Sequence, residues 1–268
     1  MSLQLNFSLN KDESSYTLLG PVDNDSVTRL VIPSEYEGKP VTAIANEAFS
    51  GPCMKFPCED LEEVVIPASI ETIGFSAFGC CENLSSVTFE EGSRLRAIWD
   101  NAFYYCVRLK KIEIPESVKT LSLRAFSNCH SLKEIVLPMG IKNVSGAPSR
   151  CRALRYNAYD NALYLGSLDN SYLVLIEAKD KEIASCEVHK DCKFIVSSAF
   201  SECKKLESVS LSAGLISIDG VAFLNDSGLT SIHFGGTKDE WNAISKSNYW
   251  DTGTGNYTVH CTDGDLEK

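Results

Sequence analysis

The feature that most constrains the fold of this chain is an internal repeat. Segments that begin at Leu61, Leu84, Leu109 and Leu132 carry the same anchors at matching positions, with starts 23 to 25 residues apart. The shared pattern reads L-x-x-I-x-I-P, then a variable turn, then I-x-x-x-A-F-x-x-C. One such copy is too small to bury its apolar face alone, whereas stacked copies bury it against each other. The repeat therefore predicts a solenoid.

The front half of each copy alternates like a short β-strand. In "LKKIEIP", Leu109, Ile112 and Ile114 can face one way while Lys111 and Glu113 face the other. The proline that follows ends the strand, because it has no N–H to donate to a ladder. We expect neighbouring copies to pair these strands into a parallel sheet with its apolar side inward.

Further copies flank these four. A looser copy begins at Val27, and after an interruption the pattern resumes at Phe194 and continues from Leu206 and Leu229. The interruption holds short strand-like runs separated by polar turns, which predicts two or three antiparallel strands. The predicted segments are a β-hairpin-like cap at 1–25, repeats at 26–156, a β insertion at 157–192, repeats at 193–234 and a cap at 235–268.

The C-terminal cap contains the best helix signal of the chain, "TKDEWNAISKS". Thr237 is a suitable N-cap, and Glu240 follows three residues later, which is the spacing of a capping box. Trp241 and Ile244 then form one apolar stripe. We expect a short helix that packs this stripe onto the last coil.

The charge of the chain limits its partners. The net charge is −11 and the pI is about 4.9. Nucleic acids and anionic membrane surfaces both select clustered Lys and Arg, so neither is an expected partner. No apolar run reaches the eighteen or so residues that a membrane helix needs, so membrane insertion is not expected. The first residues also lack a basic start and an apolar stretch of a signal peptide.

Five of the eleven cysteines occupy one repeat phase: Cys81, Cys106, Cys129, Cys151 and Cys203. Cysteine behaves as a small apolar residue and is among the most buried types. Neighbouring side chains in such a column point alike, whereas a disulfide needs convergent Cβ vectors and a zinc site needs four convergent donors. We interpret the column as buried structural thiols.

The remaining cysteines offer two other chemistries. Cys53 and Cys58 could close a small disulfide if the protein is exported. Cys186, His189 and Cys192 invite a metal interpretation, but their spacing is not that of a zinc motif and no partner motif follows. We interpret these three as strand and turn residues of the insertion, and we expect neither a metal nor a cofactor.

Nucleophile, zinc-protease and phosphate-loop motifs are absent from the sequence, so an enzyme is not expected. Tyr104, Tyr105, Tyr156, Tyr159 and Tyr164 are interpreted as packing residues of the turns and the insertion. The candidate binding surface is instead the outward side of the front strands. Its predicted members are Glu63, Val65, Ser86, Thr88, Lys111, Glu113, Glu134, Val136, Ser208, Ser210, Ser231 and His233.

The I-P, A-F-x-x-C and L-x-x-I elements resemble the BspA-like leucine-rich repeats, a bacterial and protist family with about 23 residues per repeat. The resemblance runs from about Val27 to Phe234. It implies an α+β or β-rich repeat fold, namely a right-handed leucine-rich-repeat solenoid with a curved parallel sheet, an internal β insertion and terminal caps. The insertion and the C-terminal segment also resemble parts of family members.

The resemblance implies a non-catalytic module for adhesion or protein–protein recognition at a bacterial cell surface. Its partner would be a host or matrix protein or another microbial surface protein, with a glycan as a second option. The alternative is an intracellular scaffold or the recognition domain of a larger protein. A third hypothesis is an enzyme that uses residues 157–192 as a lid. A secreted or cell-surface location is favoured over a cytoplasmic one, although this chain shows no export signal.

Overall fold

The computed structural model of the chain describes residues 3–22, 27–50, 58 and 60–268. They form two units, one within residues 1–144 and 148–155 and the other within 145–147 and 156–268. Each unit is a β-solenoid whose coils contribute strands to parallel sheets. The predicted solenoid fold is confirmed.

The first unit opens with the antiparallel hairpin β1 (Leu5–Leu9) and β2 (Tyr16–Pro21). The strands that follow are β3 (Arg29–Val31), β4 (Glu35–Tyr36), β5 (Lys39–Ile44), β6 (Glu63–Ile66), β7 (Thr72–Ile73), β8 (Ser86–Phe89), β9 (Ala97–Ile98), β10 (Lys111–Glu113), β11 (Thr120–Ser122), β12 (Glu134–Val136) and β13 (Asn143–Ser145). A 3-10 helix spans Leu123–Phe126.

The repeats of this unit contribute two kinds of strand, here called front strands and back strands, which alternate along the chain. The front strands carry the L-x-x-I-x-I pattern and pair as β3-β6-β8 and as β10-β12. The back strands pair in the order β1-β2-β5-β7-β9-β11-β13, with β4 on β5. The sequence predicted only the front strands, because back strands such as β7 and β9 have two residues each and lie within the segment interpreted as a turn.

The front strands are oriented as predicted. Leu109, Ile112 and Ile114 are buried, whereas Lys111 and Glu113 are exposed. The alternation therefore separates a core side from a solvent side, and the parallel register repeats this separation from one strand to the next.

The A-F-x-x-C turns form the third side of each coil and supply two buried columns. Rings of Phe49, Phe78, Phe103 and Phe126 stack with centroids 5.2, 5.4 and 5.8 Å apart and interplanar angles of 3 to 6°. Beside them lie Cys81, Cys106, Cys129 and Cys151, and Cys203 has the same repeat position within the second unit; all five thiols are at most 7% exposed. The prediction of buried structural thiols is confirmed, and the described members of the column are free thiols.

The second unit begins at the predicted insertion. Its strands are β14 (Asn157–Tyr159), β15 (Ala162–Leu165), β16 (Val174–Ala178), β17 (Ser185–Glu187), β18 (Phe194–Ile195), β19 (Ser208–Leu211), β20 (Ser217–Ile218), β21 (Ser231–Phe234), β22 (Ser245–Lys246), β23 (Thr258–Cys261) and β24 (Gly264–Glu267). Front strands pair as β17-β19-β21-β23-β24, and back strands as β14-β15-β16-β18-β20-β22.

The segment 157–192 is part of both sheets of this unit. β14, β15 and β16 are mutually antiparallel, and β16 then pairs in parallel with β18 of the back sheet. β17 is already a front strand, because it pairs in parallel and in register with β19. The antiparallel strands therefore close the start of the second solenoid.

The C-terminal helix is α1 (Lys238–Ala243). The Thr237 side chain accepts a hydrogen bond from the Glu240 N–H, and the Glu240 carboxylate accepts one from the Thr237 N–H. The predicted capping box is confirmed, and Trp241 and Ile244 are buried as expected. Among the described residues, no helix has the length and apolar character that crossing a bilayer requires.

Candidate functional site

The exposed side of the front strands in the first unit, here called the first-unit face, has two rows of side chains. One row contains Arg29, Glu63 and Ser86, which are partners in register on neighbouring strands. The same row continues with Lys111 opposite Glu134. Parallel pairing thus places the charged residues of successive repeats side by side.

Charges in this row are paired with each other. Arg29 Nε lies 3.4 Å from a Glu63 oxygen, and Lys111 Nζ lies 3.3 Å from a Glu134 oxygen. All four side chains are more than half exposed, so each pair stabilises the fold by at most about 1 kcal/mol. The pairs leave the face mixed in sign, and they are accessible to a ligand that brings its own charges.

The second row of the first-unit face is less polar. Val31 is 49% exposed, Val65 opposite it is half-buried, and Thr88 is exposed. Glu113 is exposed, but Val136 opposite it is only 7% exposed. Val136 was predicted as an outward residue, yet its burial leaves little of it for a partner.

The front strands of the second unit form the second-unit face, which is richer in hydroxyl groups. Its first row contains Ser185, Ser208, Ser231 and Thr258 in register, followed by Glu267. Its second row contains Glu187, Ser210, His233, His260 and Asp265 in register. Of the predicted members, His233 is exposed, and Ser208, Ser210 and Ser231 are half-buried.

Sequence reasoning missed the contributions of β17 and β23 to this face. Thr258 and His260 lie in a segment interpreted only as a cap, although "YTVHC" has the alternation of a front strand. Glu187 lies in the segment interpreted as an insertion. In both places the leucine anchor of the repeat is missing, so alternation over three or four residues was the only signal available.

Side chains cover the free edge of β17. The Glu187 N–H donates to Asp160 Oδ2 at 2.7 Å, and Asn161 Nδ2 donates to the Ser185 carbonyl at 2.8 Å. The hydroxyl of Tyr159 also donates to Glu187 Oε1 at 2.8 Å. The unpaired backbone groups of a strand edge can pair with other chains. Here, residues of the β14-β15 turn form hydrogen bonds with the backbone groups of the β17 edge instead.

Cys186, His189 and Cys192 have structural surroundings. Both cysteines are at most 2% exposed within the core of the second unit, where burial raises the pKa of each thiol to about 12. The His189 ring stacks on Tyr172 with centroids 4.0 Å apart, and its Nδ1 accepts a hydrogen bond from the Asp191 N–H at 3.2 Å. The backbone N–H of His189 donates to the hydroxyl of the buried Tyr164 at 3.1 Å. Cys58 is a free thiol, and the disulfide that Cys53 and Cys58 could close on export lies outside the described residues.

The second-unit face holds one serine–histidine contact. Ser231 Oγ and His233 Nε2 lie 3.1 Å apart, which is within the reach of a nucleophile and its base. A triad also needs a carboxylate that orients that same histidine. Asp265 instead contacts His260, with 3.0 Å between Oδ1 and Nδ1. The arrangement suits contacts with a ligand better than acyl transfer.

Comparison with known proteins shows which family has this repeat and this fold. Residues 42–156 and 178–250 match the model of the BspA type leucine rich repeat region, in six copies. The chain is similar to a leucine rich repeat protein of T. pallidum known from a crystal structure. The two are 27% identical with a TM-score of 0.53, over 76% of this chain and 78% of that one. Among curated proteins, none matches the chain.

Two other crystal structures are also similar. A leucine rich cell surface protein from Faecalibacterium prausnitzii is 22% identical with a TM-score of 0.42, over 90% of this chain and 96% of that one. A leucine-rich repeat protein from Bacteroides capillosus is 28% identical with a TM-score of 0.42, over 55% and 97%. The family model covers more than half of the chain, and its members are generally non-catalytic binding modules. The chain belongs to the BspA-type leucine-rich repeat family.

Proposed function

We propose that this protein is a non-catalytic binding module that recognises another protein through its front-strand faces, at a bacterial cell surface. The observation that carries the proposal is the register of the front strands, which aligns the outward side chains of neighbouring repeats into rows. Such rows present evenly spaced contacts to an extended partner.

The first-unit face supports a protein partner more than a glycan. Exposed Val31 and half-buried Val65 lie beside the Arg29–Glu63 ion pair. Apolar surface next to charges that can exchange partners is typical of protein recognition, in which charges provide specificity and apolar contacts provide affinity. A host or matrix protein, or a surface protein of another microbe, is the proposed partner class.

The test is capture of immobilised host extracellular proteins and mucins by two charge-matched triple variants. The face variant carries Lys111→Glu, Glu113→Lys and Glu134→Lys, which inverts three charges of the first-unit face while keeping opposite charges at positions 111 and 134. We expect it to lose binding by about tenfold or more, as expected when charged interface contacts are removed.

The control variant carries Glu82→Lys, Glu91→Lys and Lys142→Glu, three exposed positions outside the front strands. It changes the net charge by the same amount and should bind like the unmodified chain. Equal binding by the two triple variants would overturn the first-unit face as the contact surface. Retention on mucins alone, lost after deglycosylation, would replace the protein partner with a glycan.

An intracellular scaffold is the second candidate function, and the cysteines favour it. Nine of the described cysteines are free thiols, namely the five of the column together with Cys58, Cys186, Cys192 and Cys261, whereas exported proteins usually carry disulfides. Protease shaving of intact source cells separates the two. Loss of the protein from shaved cells supports the surface role, and full protection until lysis supports the scaffold.

A further inference from the structure

Two of the four histidines of the chain face each other on the second-unit face. His233 and His260 are partners in register on β21 and β23. Their rings lie nearly parallel, with centroids 5.0 Å apart and an interplanar angle of 20°. His233 is exposed, and the His260 side chain is 40% exposed, so both imidazoles are open to solutes.

Each imidazole has one nitrogen engaged by a neighbour. His260 Nδ1 lies 3.0 Å from Asp265 Oδ1, and a carboxylate at that distance favours the tautomer with its proton on Nδ1. His233 Nε2 lies 3.1 Å from Ser231 Oγ. The opposite nitrogens, Nε2 of His260 and Nδ1 of His233, are the ones left to bind a ligand.

We propose that His233 and His260 form a two-imidazole site for a divalent transition metal ion such as Cu²⁺, Ni²⁺ or Zn²⁺. Imidazole suits these ions, whereas Ca²⁺ and Mg²⁺ prefer oxygen ligands. The contact between His260 and Asp265 is the arrangement that orients metal-binding histidines in many proteins and raises their basicity. Asp265 is therefore a positioning residue for the site.

The site is an open one. Zinc–imidazole bonds are about 2.0–2.1 Å long, so the two rings have to turn toward each other from their stacked arrangement to share an ion. Among the described residues, no group of three or more histidine, cysteine, aspartate or glutamate side chains is placed to hold a metal. Water or a donor from a bound partner completes the coordination, and the affinity is lower than that of a closed four-ligand site.

The test is calorimetric titration of the full chain with Ni²⁺, and electron paramagnetic resonance with Cu²⁺ to count the nitrogen ligands. We expect one saturable Ni²⁺ site and a two-nitrogen Cu²⁺ signal, both abolished by His233→Ala and by His260→Ala. Asp265→Ala should weaken binding about tenfold, with Asp265→Asn in between because its amide oxygen still accepts from Nδ1. Excess Mg²⁺ should not compete.

Two controls separate this pair from other donors. His130→Ala and Cys261→Ser, which remove a histidine elsewhere and the thiol that follows His260, should bind Ni²⁺ like the unmodified chain. Far-ultraviolet circular dichroism checks that every variant is folded. No saturable binding by the unmodified chain, or unchanged binding by the His233→Ala/His260→Ala double variant, would overturn the site.

Discussion

The same position of the A-F-x-x-C turn is used differently in the two units. In the first unit, four thiols donate to the carbonyl group of the phenylalanine one coil earlier. These bonds join Cys81 to Phe49, Cys106 to Phe78, Cys129 to Phe103 and Cys151 to Phe126, at 2.9 to 3.3 Å. In the second unit, one coil has Cys203 at this position, and the next coil has Asp226 there instead. At this repeat position, a buried carboxyl group thus replaces a buried thiol donor.

Asp226 is fully buried. Its Oδ1 accepts a hydrogen bond from the Cys203 N–H at 2.8 Å, but its Oδ2 has no partner among the described residues. Burial raises the pKa of Asp226 to about 7, and the nearby Glu202 carboxylate adds to the rise while the Cys203 N–H and Lys181 oppose it. The comparison indicates that this position favours a small neutral donor, which an ionised carboxylate is not.

The largest expected effect tests whether the column of stacked phenylalanine rings stabilises the A-F-x-x-C turns. Phe103→Ala removes a buried ring that stacks between Phe78 and Phe126, and it should reduce the free energy of unfolding by about 3–5 kcal/mol. Urea unfolding followed by circular dichroism measures the change. Tyr104→Ala, at the half-buried neighbouring position, should cost much less, and equal costs would contradict a structural role for the column.

The second prediction transfers the carboxyl group into the first unit. Cys129→Asp removes the thiol donor to the Phe103 carbonyl and buries a carboxyl group beside that oxygen. We expect a loss of about 3 kcal/mol at pH 8, when the carboxyl group would have to ionise. The loss should shrink at pH 5. A loss independent of pH would mean that the shape of the side chain, rather than its charge, decides what this position accepts.

The third prediction removes the charge from the second unit. Asp226→Asn keeps an oxygen for the Cys203 N–H and should raise the free energy of unfolding at pH 8 by about 2 kcal/mol. The direction of this change in the free energy of unfolding follows from the raised pKa of Asp226. Protonated Asp226 suits the folded state, so its stabilising contribution is complete below the ordinary pKa of 3.8 and is lost as the pH rises to about 7.

The measurement for Asp226→Asn is urea unfolding at several pH values, followed by tryptophan fluorescence, since Trp241 and Trp250 lie in the second unit. The gain over the unmodified chain should be near zero at pH 4 and reach a plateau above pH 7. Lys181→Ala tests the influence of this nearby positive charge. Its removal should raise the pKa of Asp226 further, so the gain from Asp226→Asn should reach its plateau at a higher pH. A gain that is the same at all pH values would refute the buried-charge account.

Repetition explains how much of this fold the sequence could predict. The front strands, the buried cysteine column and the Thr237–Glu240 capping box each have a signal that recurs or has a fixed spacing. The back strands were missed because two residues are too few to show alternation. Local pattern also could not show that the Asp226 carboxyl is buried, since burial depends on the coils before and after it.

The candidate faces were predictable only where a complete repeat surrounds them. The outward positions of β6, β8, β10 and β19 follow directly from the leucine anchor of each repeat. The His233–His260 pair does not, because β23 has no such anchor and its pairing with β21 is set by how the cap closes the sheet. The side chain of Val136 likewise lies on the predicted side, but its surroundings bury it.

The smallest expected effect concerns the backbone of the same turn. The residue before the Ala-Phe pair has a positive φ in both units, with values of 59° at Asn101 and 55° at Val221. Asparagine tolerates this left-handed conformation, whereas a β-branched residue is strained in it. Val221→Asn should therefore raise the free energy of unfolding by about 1 kcal/mol, and the reciprocal Asn101→Val should lower it by a similar amount. Urea unfolding of both variants measures the pair, and a loss on Val221→Asn would show that packing of the half-buried valine outweighs its backbone strain.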